Sequence, residues 1–204
     1  MLIARIPSLI TRSFKKMTFN IRDNSKSVYL TFDDGPTPKV THWVLDKLDE
    51  YKAKGTFFCL GRNVDAHPEI FSEIVKRGHS VGNHTYSHMK GYSASTSKYL
   101  DDIHMADELI KSKLFRPPYG RILRSQVKAI LPEFKIILWE VLSVDYNRKI
   151  SGDTVSKNVI NNVRPGSIVV FHDSDKARKN LYHALPEVLK YLQENGYEMK
   201  AILQ

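Results

Sequence analysis

Val28-Tyr29-Leu30-Thr31-Phe32-Asp33-Asp34-Gly35-Pro36 reads as a β-strand that runs into two adjacent carboxylates and a turn. The apolar run lacks clean alternation, as expected of a strand covered on both faces of a parallel sheet. Gly35 and Pro36 supply turn dihedrals, and an aspartate caps such a turn. Two neighbouring carboxylates at the end of a buried strand repel and desolvate each other unless a cation lies close by. The stretch therefore predicts a buried parallel strand and an ion-binding pocket at its C-terminal end.

Working outward, β-like runs recur at 28–32, 56–60, 80–83, 135–141, 167–171 and 197–203, alternating with helical patterns at 39–51, 68–77, 96–114, 122–131, 154–163 and 180–195. Gly55, Gly78 and Gly196 follow predicted helix ends, where a left-handed cap residue is wanted. Repeated strand-helix-strand order implies right-handed βαβ units, and both a doubly wound sheet and a barrel satisfy it. The polar clusters decide between them. Asp33-Asp34, His84, Asp145 and His172-Asp173 each follow a different predicted strand. Convergence at the C-terminal ends of several strands is the arrangement of a (β/α) barrel active site, whereas a switch-point crevice draws on fewer strands. No repeat or Ser/Gly/Pro-rich linker interrupts the pattern, so residues 27–204 are expected to form one catalytic domain and residues 1–26 a basic arm packed on it.

The 204 residues are 42% hydrophobic and 26% charged, which excludes disordered, collagenous and disulfide-stapled classes. A chain of this size buries enough core to need no structural metal, so an ion here is read as functional. The lone Cys59, inside Thr56-Phe57-Phe58-Cys59-Leu60, is expected to be a buried thiol. A net charge of +9 draws the domain to polyanions such as an acidic glycan or wall polymer. The basic residues form no stripe interleaved with aromatics, so no nucleic-acid partner is expected. Residues 1–16 carry Arg5, Arg12, Lys15 and Lys16 around short apolar pieces broken by Pro7. A secretory signal needs a continuous apolar stretch of about 7–15 residues, and a membrane span needs roughly 20. Neither is present, so the default expectation is cytoplasmic, with surface association through the basic arm as the lesser reading.

His84-Thr85-Tyr86-Ser87-His88 places two imidazoles at i and i+4, which on a helical turn face the same way. With a carboxylate from the Asp pair they form a two-His, one-Asp set that leaves positions open on a divalent ion. His79 precedes its strand and is assigned a structural role. In Arg116-Pro117-Pro118-Tyr119-Gly120, two prolines fix the backbone that carries an Arg fork and an aromatic ring.

Taken in order, Thr31-Phe32-Asp33-Asp34-Gly35-Pro36, the His84 and His88 pair, Arg116-Pro117-Pro118-Tyr119, Asp145-Tyr146 and Val170-Phe171-His172 resemble the five motifs of the polysaccharide deacetylase family, carbohydrate esterase family four. The resemblance implies a distorted (β/α) barrel that hydrolyses N- or O-acetyl groups of a carbohydrate with one divalent ion, zinc first, with cobalt, nickel or manganese open. It assigns Asp33 as general base and Asp34, His84 and His88 as metal ligands. The backbone N–H of Tyr119 is assigned to the oxyanion and His172 to general acid. Asp145 would orient and charge His172, and Arg116 would orient Asp33. Tyr146 and Val170 would shape the sugar and acetyl pockets.

Four positions depart from the family pattern. Met89 stands where Pro closes the second motif, Leu142 where the fourth has an acid, Tyr146 in place of Trp and Val170 in place of Leu. None is a proposed ligand, base or acid, so the departures bear on which sugar is taken. The alternatives are a non-catalytic carbohydrate-binding or regulatory barrel, and a hydrolase of a small non-peptide amide. The complete set Asp33, Asp34, His84, His88 and His172 argues against the first, because a degenerate binder tolerates loss of at least one.

Overall fold

The computed structural model describes residues 4–6, 14, 16–22 and 25–204. The strands are β1 Met17–Thr18, β2 Ser27–Asp33, β3 Thr56–Cys59, β4 Ser80–Asn83, β5 Leu114–Phe115, β6 Lys135–Ile137, β7 Val141–Leu142, β8 Ile168–His172 and β9 Glu198–Met199. The helices are α1 Val40–Glu50, α2 Gly61–Ala66, α3 Pro68–Lys76, α4 Thr96–Ile110, α5 Arg124–Ile130, α6 Gly152–Ile160 and α7 Arg178–Glu194. The strands pair in parallel in the order β1-β6-β5-β4-β3-β2-β8-β7, with β9 added beside the start of β2. This is the distorted α/β barrel expected from the placement of the polar clusters.

β2 is central and buried along its whole length. Its Phe32 ring stacks against Phe57 of β3 at 5.0 Å and Phe171 of β8 at 6.1 Å between centroids. On the same core lie Leu45 and Leu48 of α1 and Leu181, Leu185, Val188 and Leu189 of α7, all fully buried. Each such side chain contributes about 1.5–3 kcal/mol on leaving water, so the layer on β2 holds the strand whose end carries Asp33.

Four sequence expectations change in the structure. The run 135–141 divides: β6 pairs with β5 and β1, whereas β7 crosses to the opposite edge and pairs with β8. Glu140, between them, is buried and takes hydrogen bonds from Arg5, Arg164 and Ser167, which turns the chain across the seam between the two sheet edges. The helix expected over 96–114 stops at Ile110, because Lys111 turns left-handed at φ 51° and the Asp107 carboxylate accepts the Ser112 N–H. Leu114 and Phe115 are then free to form β5. Of the run 197–203 only Glu198–Met199 is a strand. Gly78 and Gly196 are left-handed as expected, but Gly55 is not, since Lys52 takes the left-handed position after α1.

Part of the expected N-terminal arm lies among the described residues. Met17 and Thr18 pair with Ile136 and Ile137, and Ile21 N–H donates to Gly166 O at 2.8 Å. Leu142 N–H donates to Ala4 O and Ile6 N–H to Glu140 O. Arg12 and Lys15 lie outside the described residues. No described helix is long and apolar enough to cross a membrane.

Gly82 shows how closely β4 is packed: a Cβ there would lie 2.5 Å from the Phe58 ring. That ring carries the Arg116 guanidinium 4.0 Å from its centroid, so it cannot tilt freely. Gly82→Ala should therefore destabilise the fold by about 1–3 kcal/mol, roughly 2–10 °C in melting temperature. Thermal denaturation checks this, and an unchanged melting point would contradict the packing described.

Candidate functional site

The C-terminal ends of the strands surround a cavity of about 710 Å³. Asp33, Asp34, His84, His88, Tyr119, Tyr146, Val170 and His172 all line it, together with Leu142. Arg116 and Asp145 stand behind this wall, fully buried. Every site residue singled out in the sequence thus falls at one place.

Asp33 ends β2 in register with His172 of β8 and beside β3. Its Oδ1 accepts a 2.7 Å bond from Arg116 Nη1, which also donates to Thr31 Oγ1 at 2.7 Å. Arg116 further donates from Nε to Ile137 O and from Nη2 to Leu138 O. Burial presses the Arg116 pKa down while Asp33 supports the charge. Thr31 lies two residues before Asp33, so both point to the same face of the strand. That period-2 spacing was readable in the sequence, yet Thr31 was not singled out as a partner of the arginine.

Asp34 leaves the strand in a left-handed conformation at φ 78°, which turns it from the ladder towards the two histidines. Its Oδ1 lies 3.7 Å from His84 Nε2 and 3.3 Å from His88 Nε2, and is buried with no hydrogen-bond partner. Burial raises the Asp34 carboxyl, but His172, His84, His88 and Lys176 together pull it below its ordinary value. His84 and His88 are not on a helical turn. Thr85 at φ 66° and His88 at φ 63° fold the loop back after β4, bringing the rings to 5.1 Å between centroids. His84 Nδ1 donates to Arg116 O at 2.8 Å, which leaves Nε2 as the free lone pair. Burial, reinforced by His84, lowers His88 to about 4, so it is neutral at pH 7. The three donor atoms lie within 4.8 Å of one another. Two imidazole nitrogens and an unpartnered buried carboxylate oxygen are a donor set that fits a divalent ion.

Opposite this set, His172 Nδ1 is 2.7 Å from Asp145 Oδ1, and the His172 N–H donates to Asp145 Oδ2 at 2.8 Å. Burial opposes the imidazolium, but Asp145 overcomes it, and His172 rises to about 9. Val144, left-handed at φ 66°, precedes Asp145, and Asn180 holds the Asp145 carbonyl at 3.1 Å. The Tyr146 ring meets His172 edge-on at 5.1 Å, with Lys176 Nζ 5.3 Å from the ring centroid. Tyr119 is left-handed at φ 61°, half exposed, and 4.8 Å from His88 between ring centroids.

Asp173 was visible in the sequence only as the neighbour of His172. Its carboxylate accepts from Gly35 N–H at 3.1 Å and from Thr41 Oγ1 at 2.5 Å, pinning the turn that follows Asp34. A Cβ on Gly35 would fall 2.0 Å from Asp173 Oδ2, so this approach requires glycine. Trp139 and Tyr92 also line the cavity, and no sequence pattern announced them. His79 sits away from the site, accepting from Gly55 N–H at Nδ1, and burial lowers it to about 4.

A curled parallel barrel with a polar cluster at its strand ends defines a class of α/β proteins, and comparison narrows the class. Residues 20–131 match the polysaccharide deacetylase family, and the chain belongs to it. It is 37% identical over 181 residues to a peptidoglycan-N-acetylglucosamine deacetylase of Bacillus cereus, covering 85% of this chain and 66% of that protein's length. The crystal structure of the Bc1960 peptidoglycan N-acetylglucosamine deacetylase superposes with a TM-score of 0.88 at 33% identity, over 97% of this chain and 95% of the other. BA3943, a pseudoenzyme of carbohydrate esterase family four from Bacillus anthracis, superposes with a TM-score of 0.78 at 26% identity, over 88% and 65% of the two chains.

His172 is charged at neutral pH and loses its proton as the pH rises through about 9. Because the folded value lies above the ordinary one, the pairing with Asp145 stabilises the fold fully below about pH 6.5 and ceases to do so above about 9. In Asp145→Asn the imidazole titration, followed by NMR, should move down by about 1–3 pH units. An unmoved midpoint would show that Asp145 does not hold the charge.

Proposed function

We propose that this chain is a divalent-metal-dependent deacetylase that removes the acetyl group from an N-acetylhexosamine of a glycan, with peptidoglycan N-acetylglucosamine as the leading substrate. The observation that carries the reading is the juxtaposition, in one cavity, of the Asp34-His84-His88 donor set with an Arg-held carboxylate on one side and an Asp-held imidazole on the other. Residues 27–204 are the catalytic unit in this reading, and residues 1–26 a basic arm packed on it. When bound by Asp34, His84 and His88, the ion would supply a Lewis acid that acidifies water and polarises the acetyl carbonyl.

The remaining roles belong to the chain's own groups. Asp33, fixed by Arg116, accepts a proton from the attacking water as its oxygen bonds to the carbonyl carbon. The Tyr119 N–H donates to the carbonyl oxygen as charge builds there. His172, kept protonated by Asp145, gives its proton to the sugar nitrogen as the C–N bond breaks, so acetate and a free amine leave. An amine is a poor leaving group without that proton, which is why a pKa of about 9 at His172 suits amide cleavage. Val170 walls the acetyl pocket, while Tyr146 offers a ring face to the sugar and a phenol for hydrogen bonding.

A second reading, a non-catalytic barrel, is favoured by the likeness to the pseudoenzyme BA3943. Against it stands the full complement of base, ligands and acid.

Mass spectrometry of peptidoglycan fragments and chitooligosaccharides incubated with zinc-loaded protein should show loss of acetyl groups. Asp33→Asn should lower turnover by about 10²–10⁴-fold with metal content unchanged. His84→Ala should lose the bound ion, read by elemental analysis. Full metal content in His84→Ala would overturn the ligand set. Full turnover in Asp33→Asn would overturn the base, and no acetyl loss by the unsubstituted protein would favour the non-catalytic barrel.

A further inference from the structure

The two loops that carry the donor set are joined by the opening of one short helix. Leu60 N–H donates to Gly35 O at 2.9 Å, Gly61 N–H to Thr85 O at 3.0 Å and Arg62 N–H to Tyr86 O at 3.2 Å. Asn63 Nδ2 then donates to Asp34 O at 2.7 Å. These four consecutive residues are the N-cap and first turn of α2. The N–H groups that open a helix have no partner within it, and here loop carbonyls take three of them. One turn of backbone thus grips the Asp34 loop at 34–35 and the loop between His84 and His88 at 85–86. Packing fixes its seat. Val64 is buried, and a Cβ on Gly61 would fall 2.6 Å from the Tyr86 ring and 2.9 Å from Ala106 Cα of α4. Only glycine lets the turn come this close to both.

The spacing of the loops matters, because ligand atoms about 2.0–2.2 Å from one ion at tetrahedral angles lie about 3.3–3.6 Å apart. Asp34 Oδ1 is 3.3 Å from His88 Nε2 and 3.7 Å from His84 Nε2, so little slippage between the loops can be tolerated. Asp34 is also left-handed at φ 78°, a conformation that its surroundings must enforce. Asp173 takes the Gly35 N–H on one side of this turn, and Asn63 holds the Asp34 carbonyl on the other. We propose that Asn63 is a positioning residue for the metal site: its amide fixes Asp34, and the turn that carries it sets the separation of the carboxylate from the two imidazoles. The amide bonds the backbone of Asp34 and not its carboxylate, so it acts through Asp34 alone. This rests on the proposed deacetylase reading, from which an ion at Asp34, His84 and His88 is taken.

The test is titration of metal-free protein with cobalt(II), followed by visible absorption, with a competing chelator where binding is tight. Asn63→Ala should bind cobalt about ten- to hundredfold more weakly than the unsubstituted protein and shift its absorption bands. The melting temperature of the metal-free protein should change by no more than about 4 °C, since one half-buried hydrogen bond is lost. Asn63→Gln keeps the amide donor one methylene further out and should bind more tightly than Asn63→Ala. Asn158 is the control: its Nδ2 donates to Ser143 O at 3.0 Å, on the side of the general acid, so Asn158→Ala should leave cobalt affinity unchanged. Cobalt affinity in Asn63→Ala within about twofold of the unsubstituted protein overturns the role, whatever happens to the melting temperature. An equal loss in Asn158→Ala, or a glutamine variant no tighter than the alanine one, overturns it too. An unsubstituted protein that takes up no cobalt sinks the donor set, and the role with it. Weakened binding by Asn63→Ala, in a protein whose unsubstituted cobalt form releases acetate from no glycan, sinks the deacetylase reading and upholds the positioning role.

Discussion

A guanidinium shut away from water must be neutralised and hydrogen-bonded on every side, and the barrel is organised around meeting that demand for Arg116. Four hydrogen bonds leave its side chain, to Asp33, Thr31, Ile137 and Leu138, and the Phe58 ring covers one face. Its own carbonyl receives the His84 imidazole. One residue thus ties β2, β4 and the end of β6 together and orients a carboxylate and an imidazole at once. Removing one partner of a buried ion pair costs about 3–5 kcal/mol, because the other charge is left stranded. The arrangement therefore tolerates little drift in the positions it sets.

Around this pair the backbone is strained where chemistry is expected. Asp34, Thr85, His88, Tyr119 and Val144 are all left-handed, and each is a proposed site residue or adjoins one. Side chains other than glycine adopt that conformation reluctantly, so the surroundings must enforce it. Asp173 and Thr41 do so for the turn after Asp34, and Asp107 for the stop of α4 that lets β5 form. The site is held in shape by partners that touch no substrate.

That distinction also separates what was legible in the sequence from what was not. Strand ends carrying Asp33, His84, Asp145 and His172 could be read because apolar runs and polar punctuation lie next to each other in the chain. The split of 135–141 could not, because it depends on the buried Glu140 finding Arg5 and Arg164, far away in sequence. The helical reading of His84 and His88 failed for a related reason: i and i+4 spacing is shared by a helix and a tight loop, and only Thr85 and His88 turning left-handed decides between them. Tyr92, Trp139 and Lys176 reach the cavity from three separate loops, with no spacing that links them.

The seam of the barrel carries a consequence for how the chain acquires its form. Arg5 and Glu140 lie 135 positions apart, and the contacts of Met17 and Thr18 with Ile136 and Ile137 span nearly as many. Loop-closure entropy grows only logarithmically with length, so these contacts cost little at equilibrium. In time they are costly, because no local contact anticipates them and folding slows as contact order rises. By that argument the contacts of Arg5, Met17 and Thr18 are expected to form late, onto strands already assembled, with β6 and β7 as the sheet edges they then cover.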